Sequence, residues 1–146
     1  MEILVKTFEE LTKQELYEIL QLRSEVFVVE QDCVYQDLDG KDQKALHVFA
    51  KKNGRFAAYS RIFKPGDYFT EASIGRVLVK KCDRKYGYGQ KIMKASIKAI
   101  QNNFNQKDIH ISAQLYLKKF YESLGFNQVG EEYLEDGIPH IAMIKN

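Results

Sequence analysis

Apolar residues along this chain switch repeatedly between a spacing of two and one of three to four, a pattern that predicts strands alternating with helices. Ile3 to Phe8 reads as a first strand. Thr12-Lys13-Gln14-Glu15 is a capping box, in which the Thr hydroxyl and the Glu carboxylate each satisfy a backbone N–H left open at a helix start. Leu16, Ile19, Leu20, Arg23, Val26 and Phe27 then recur at helical spacing and predict a helix to about Val28. From Val29 to Lys44 the periodicity lapses, and Gln31, Tyr35, Asp37, Asp39, Gly40 and Asp42 read as a long loop. Loops of that length tend to carry function.

Leu46 to Lys51 and Arg55 to Phe63 flank Lys52-Asn53-Gly54, a turn of the hairpin type. After a second turn at Lys64-Pro65-Gly66-Asp67 an apolar strand runs from Ala72 to Lys80. The helix predicted next, to about Asn102, puts Ile92, Met93, Ser96, Ile97, Ala99 and Ile100 on one face and Lys91, Lys94, Lys98 and Gln101 on the other. Such a helix lies over a sheet. Ile109 to Ala113 alternates as a strand, Leu115 to Ser123 is a short helix ended by Gly125, and Phe126 to Glu131 and Ile138 to Ile144 are two last strands. The predicted fold class is α/β with a mixed sheet, mostly antiparallel at its ends. No repeat, low-complexity tract or linker interrupts the pattern, so one domain over residues 1–146 is expected.

Composition narrows the partners. A chain of 146 residues is long enough to bury about two-thirds of the surface its unfolded form exposes. Its 22 basic and 20 acidic residues leave a net charge of +2, with the lysines scattered, so neither nucleic acid nor a membrane surface is an expected partner. Cys33 and Cys82 are isolated, and no histidine stands near either at metal-ligand spacing. Two reduced thiols in a cytoplasmic protein and no metal site are the expectation. The N-terminal residues lack a signal-peptide pattern, and no run of about 18 apolar residues occurs, so export and membrane insertion are not expected.

The candidate chemistry starts at Arg84-Lys85-Tyr86-Gly87-Tyr88-Gly89-Gln90, between the Ala72 strand and the amphipathic helix. Two glycines one residue apart allow a tight turn and close approach of a ligand, and the first N–H groups of the helix favour an anion. Arg84 and Lys85 add full charges. On this segment alone an anion cradle and an ordinary strand-to-helix turn with a solvated basic pair stand level. A dinucleotide fingerprint would need a third Gly or Ala where Ile92 stands, and an acid ending the next strand, whereas Asp108 begins it. That reading is rejected, and no P-loop sequence is present.

The turn Arg84-x-x-Gly87-x-Gly89 resembles the acyl-CoA pyrophosphate loop of the GNAT superfamily of N-acetyltransferases, and Phe120-Tyr121-Glu122-Ser123-Leu124-Gly125-Phe126 resembles its second signature. Arg23 to Gln31 and Glu135 to Ile141 are similar to the ElaA-like subgroup, so the resemblance spans nearly the whole chain. It implies a GNAT-like sheet of about six or seven strands with helices on both faces and a splayed parallel pair, Ala72 to Lys80 beside Ile109 to Ala113. It also implies acetyl-CoA as cosubstrate and an amine, small-molecule or peptide, as acceptor. Edge-strand pairing into a homodimer is an assembly that it admits.

In the mechanism implied by the resemblance, backbone groups of Val77 and Val79 pair with the pantetheine amides, and a main-chain N–H near Val77 or Leu78 polarises the thioester carbonyl. The cofactor's phosphates fall on Arg84, Lys85, Tyr86, Gly87, Tyr88, Gly89 and Gln90. Tyr121 matches the general acid that protonates the leaving thiolate; otherwise it is an aromatic packing a short helix. Gln114 either bonds the pantetheine or the Tyr121 region, or caps the next helix. Glu30, Asp136 and His140 are candidate bases, set against a packing role for His140 and, for Glu30 and Asp136, turn or capping roles or the holding of an acceptor ammonium that deprotonates through water. His47 and His110 read as structural. An intact Tyr121 favours an enzyme over a non-catalytic acyl-CoA-binding module or sensor, which has no use for a leaving-group acid.

Overall fold

A computed structural model describes residues 1–146. The chain forms β1 (Glu2–Thr7), α1 (Lys13–Arg23), a π-helical continuation (Ser24–Glu30), β2 (Leu46–Lys52), β3 (Arg55–Phe63) and β4 (Ala72–Val79). A 3-10 segment (Lys81–Tyr86) leads into α2 (Tyr88–Phe104), followed by β5 (Ile109–Gln114), a 3-10 turn (Leu115–Leu117), α3 (Lys118–Glu122), β6 (Asn127–Glu135) and β7 (Ile138–Lys145). The strands make one seven-stranded sheet in the order β1-β2-β3-β4-β5-β7-β6. Every neighbouring pair is antiparallel except β4 and β5.

The capping box forms as its residues predict: the Glu15 N–H donates to Thr12 Oγ1 at 3.0 Å and the Thr12 N–H to Glu15 Oε1 at 2.9 Å. Asn53 and Gly54 both take positive φ, the two-residue hairpin turn whose twist matches the strands it joins. α2 lays Ile92, Met93, Ser96, Ala99 and Ile100 on the sheet, where they join Val48, Ala58, Ile62, Ile74 and Ile111 in the larger core. α1 covers the opposite face with Ile19 and Leu22, packed with Val26, Phe49, Phe56, Tyr59 and Leu78.

Two expectations change. The first helix does not stop near Val28, because its backbone loosens into a π-helix that reaches Glu30. Such segments are rare and concentrate at functional sites. β6 runs to Glu135 rather than Glu131, and its register with β7 breaks between Val129 and Tyr133.

The parallel pair is what positions the site. β4 and β5 are in register only at Ala72–Ile109 and Ser73–His110, after which they diverge. On the other side of β4, Tyr59 pairs with Leu78 and Arg61 with Gly75, so Arg76 and Val77 together face Ser60 in a β-bulge. Arg76 has φ 51°, a left-handed conformation that side chains rarely adopt. Its guanidinium offsets the cost by donating to Asp37, from Nε to Oδ1 at 2.7 Å and from Nη2 to the carbonyl at 3.1 Å.

Candidate active site

The divergence of β4 from β5 opens a cleft of about 770 Å³, floored by both strands and running from the N-terminus of α2 to the β6–β7 turn. One wall comes from the π-helix and the loop after it, through Val26, Phe27, Glu30, Gln31, Cys33 and Tyr35. The other comes from Tyr116, Leu117, Phe120 and Tyr121.

Strand alternation explains which peptide groups face the cleft. The Lys80 N–H donates to the Ala57 carbonyl at 2.8 Å, so the peptide groups of Leu78, two residues earlier, also point to β3, and the Val77 carbonyl and the Val79 N–H point to the open side. The Leu78 N–H is thus turned to β3, and the Val77 N–H belongs to the bulge, outside the regular alternation. Val79 is already in use, since its carbonyl accepts from Arg84 Nε at 3.0 Å.

The glycine turn behaves as its spacing requires. Gly87 has φ 72° and stands at the N-cap of α2, where no side chain caps the helix. The first-turn N–H groups are thus open, at the positive end of a 17-residue helix. Gly89 packs against Phe120, whose ring a Cβ would meet at 3.5 Å. Arg84, Gly87, Gly89 and Gln90 line the cleft; Lys85, Tyr86 and Tyr88 do not. Tyr88 is buried in the core, and Tyr86 lies on the outer surface with Lys52 Nζ 3.8 Å from its ring centroid.

Glu30 lies against Arg84. The two form a bidentate pair, with Arg84 Nη2 donating to Oε2 at 2.8 Å and Nη1 to Oε1. The hydrogen bonds from Arg84 hold the Glu30 carboxyl below its ordinary range. A carboxylate tied up on both oxygens and weakened in proton affinity is a poor base, so the expectation for Glu30 is corrected.

Tyr121 is buried and lines the cleft. Burial, helped by Tyr116, pushes its pKa up to about 12. Gln114 Nε2 donates to Gln31 Oε1 at 3.2 Å, tying the end of β5 to the loop opposite, so it is a strap rather than a helix cap.

His140 sits at the acceptor end. Its Nδ1 is 2.7 Å from the Ile138 carbonyl, which can only accept, so Nδ1 carries a hydrogen. Nε2 stands 3.4 Å from Glu135 Oε2, and the ring stacks on Tyr133. Ser112 Oγ joins this group, 2.5 Å from the Tyr133 hydroxyl and donating to Glu135 Oε1 at 3.0 Å. Asp136 holds the β6–β7 turn with φ 51°, and its carbonyl accepts from Cys33 Sγ at 3.3 Å.

Beneath the loop lies a cluster that the sequence reading missed. Arg23, fully buried, donates from Nε to Asp37 Oδ2 at 2.8 Å and from Nη1 to Asp42 Oδ1 at 2.7 Å. Arg61 donates from Nη1 to Asp39 and Asp42, each at 2.9 Å, and Tyr35 bonds Asp37 at 2.7 Å. His47 bridges Tyr59 and the Asp42 carbonyl, consistent with a structural histidine. Burial raises the proton affinity of Asp39 and Asp42, and their arginine partners outweigh it, leaving both below the usual carboxylate range. A signal was available: Arg23 occupies an apolar position on its helix, and a charge there needs buried partners such as the aspartates of the following loop.

No helix of the protein is long and apolar enough to cross a membrane. The family model described as "Acetyltransferase (GNAT) domain" matches residues 7–146. Protein ElaA of Escherichia coli is 43% identical over 138 residues, covering 93% of this chain and 90% of that protein. The crystal structure of an acyl-CoA N-acyltransferase from Pseudomonas aeruginosa superposes with a TM-score of 0.94 at 38% identity over the whole of both chains. That of E. coli ElaA does so with a TM-score of 0.92 at 40% identity, covering 99% of each chain. The fold is thus shared with these two structures, and the chain belongs to the GNAT acetyltransferase family.

Proposed function

We propose that the protein transfers an acetyl group from acetyl-CoA to the nitrogen of an amine. The observation that carries this reading is Tyr121, a buried phenol lining the same cleft as the open peptide groups of β4. The coarser statement, acyl transfer from an acyl-CoA, follows from family membership. The finer one rests on how the residues would share the work.

The pyrophosphate sits on the first-turn N–H groups of α2 with Arg84 beside it, and the pantetheine runs along Val79 and Val77 as an added strand. The Val77 N–H polarises the thioester carbonyl, a contribution of about 3 kcal/mol for a preorganised donor. The amine nitrogen attacks the carbonyl carbon and its proton passes to His140 Nε2, with Glu135 stabilising the charged ring that results. As the tetrahedral intermediate collapses the C–S bond breaks, and Tyr121 donates its hydroxyl hydrogen to the departing sulfur. A phenol pushed up to about 12 gives up a proton reluctantly, but the same burial raises the thiolate's affinity for one.

A CoA-release assay with acetyl-CoA and a panel of amines tests the proposal, alongside a titration of acetyl-CoA itself. Release that depends on amine and falls in Tyr121→Phe is expected. Binding of acetyl-CoA without release for any amine would support a non-catalytic acyl-CoA sensor instead.

A further inference from the structure

The gap between β4 and β5 opens to both faces of the sheet. Ile111 and Ala113 of β5 and Ile141 and Met143 of β7 pack into the core under α2, so strand alternation turns Ser112, Gln114 and His140 to the face that α1 covers. Tyr121 belongs to the α2 side, in that same core. A cofactor with its phosphates at the N-terminus of α2 and its sulfur near Tyr121 leaves the other face to the acceptor, which must approach where His140 lies.

Residues 30–33 cross that approach. They follow the π-helix, and within four positions they bond three separate parts of the protein. Glu30 takes both Nη atoms of Arg84, with Nη2 donating to Oε2 at 2.8 Å. Gln31 Oε1 accepts from Gln114 Nε2, at the end of β5, at 3.2 Å. Cys33 Sγ donates to the Asp136 carbonyl, in the β6–β7 turn, at 3.3 Å. The π-helix itself packs on β4, since Val26 and Leu78 share the core beneath α1. The contacts to Gln114 and Asp136 therefore run from the β4 side to elements beyond it and span the gap. All six bonded residues line the cleft. Asp32 has φ 49°, a left-handed conformation that persists in a residue other than glycine only where its surroundings impose it.

The three contacts differ in kind. Two are single hydrogen bonds between neutral groups, one of them from a thiol, which is a weak donor. The Glu30–Arg84 contact alone carries charge, and charge-assisted pairs are the stronger. It is also the one that the cofactor reaches. Arg84 lies on the segment that leads into α2, and a pyrophosphate on the open N–H groups of that helix offers the guanidinium a rival anion. Once Arg84 turns to phosphate, residues 30–33 keep only the two neutral bonds across the gap.

We propose that residues 30–33 are a lid on the acceptor side of the cleft, latched by Glu30 on Arg84 and released when the cofactor's pyrophosphate takes Arg84. Cofactor binding thereby favours an open acceptor side. This rests on the acyl-CoA reading of the cleft.

Cys33 reports on the lid, because its thiol is buried while the lid is shut. In Cys82→Ser protein, which has no other cysteine, the rate of Cys33 alkylation by iodoacetamide is followed by mass spectrometry. The ligand is desulfo-CoA, which carries the pyrophosphate and has no thiol of its own, with saturation established by titration calorimetry. Desulfo-CoA should raise the rate about two- to fivefold, the factor that an exposed ion pair supports. Glu30→Ala and Arg84→Ala should each raise it about as much without ligand, and desulfo-CoA should add little more in Glu30→Ala, because the two changes remove the same contact.

Labelling that saturating desulfo-CoA leaves unchanged or slows would overturn the proposal, as would an unchanged rate in Glu30→Ala and Arg84→Ala. Alkylation of the ligand-free protein as fast as that of free cysteine would overturn it too, since the lid would not be shut. Failure of desulfo-CoA to bind would sink the acyl-CoA reading together with this one, whereas saturation without a change in labelling sinks this one alone.

Discussion

Arg84 and Glu30 clasp each other across the mouth of the cleft, so the arginine beside the phosphate cradle is held by a carboxylate from the far wall. Cofactor phosphate and Glu30 then compete for one guanidinium. An exposed pair of this kind contributes about 0.5 to 1 kcal/mol. Glu30→Ala is expected to tighten CoA binding about two- to fivefold, and Arg84→Ala to weaken it about tenfold, as charge-assisted hydrogen bonds of about 1.5 kcal/mol do. Titration calorimetry measures both. Weaker binding in Glu30→Ala would mean that the clasp helps to build the site.

Tyr121→Phe should lower kcat by about 10²-fold while changing the affinity for acetyl-CoA little, the mark of a group that acts as the thiolate departs. The same residue has a signature in stability. Its pKa is raised to about 12 by burial, from about 10 in an unfolded chain. The stability it contributes is complete below about pH 10 and is lost as pH rises to about 12. Urea unfolding across that window should fall less steeply for Tyr121→Phe than for the wild type. An identical slope would argue that the phenol is not buried in solution.

Arg23 anchors the loop that walls the cleft, and its removal takes one of two arginine partners from each of two buried carboxylates. Arg23→Ala is expected to lower the unfolding free energy by about 3 to 5 kcal/mol. Chemical denaturation gives the value, and a loss below about 1 kcal/mol would show that Arg61 and Arg76 can satisfy Asp37 and Asp42 alone.

Acid should loosen the same cluster. Asp39 and Asp42 hold protons less tightly in the folded chain than in the unfolded one, despite their burial, because arginines outweigh it. Their contribution is therefore complete above about pH 4 and fades as the pH falls below that value. Thermal melts between pH 6 and 3 should show the decline, and Asp39→Asn should flatten it.

His140→Gln and Glu135→Gln separate a base from its partner. The first is expected to lower kcat by about 10²-fold and the second by about tenfold, in CoA-release assays with saturating amine. Equal activity of His140→Gln and wild type would return the ring to the packing role suggested by its stacking on Tyr133.

Features written in neighbouring residues could be read along the chain. The Thr12–Glu15 capping box, the Asn53-Gly54 turn and the Gly87 cap each depend on backbone groups within a few positions, so residue type and spacing suffice. The amphipathic face of α2 likewise announced a sheet beneath it, and the two glycine-bearing signatures pointed to the family. Tertiary packing settled what depends on distant partners. Arg23, Arg61 and Arg76 come from a helix and two strands, and only folding brings Asp37, Asp39 and Asp42 over them. Glu30 and Arg84 are 54 residues apart in sequence, and a carboxylate that read as a base became a clasp once Arg84 faced it. Ser73 and Arg61 looked like ordinary strand residues, because an unpaired buried atom becomes visible only when every neighbour that could have satisfied it is in place.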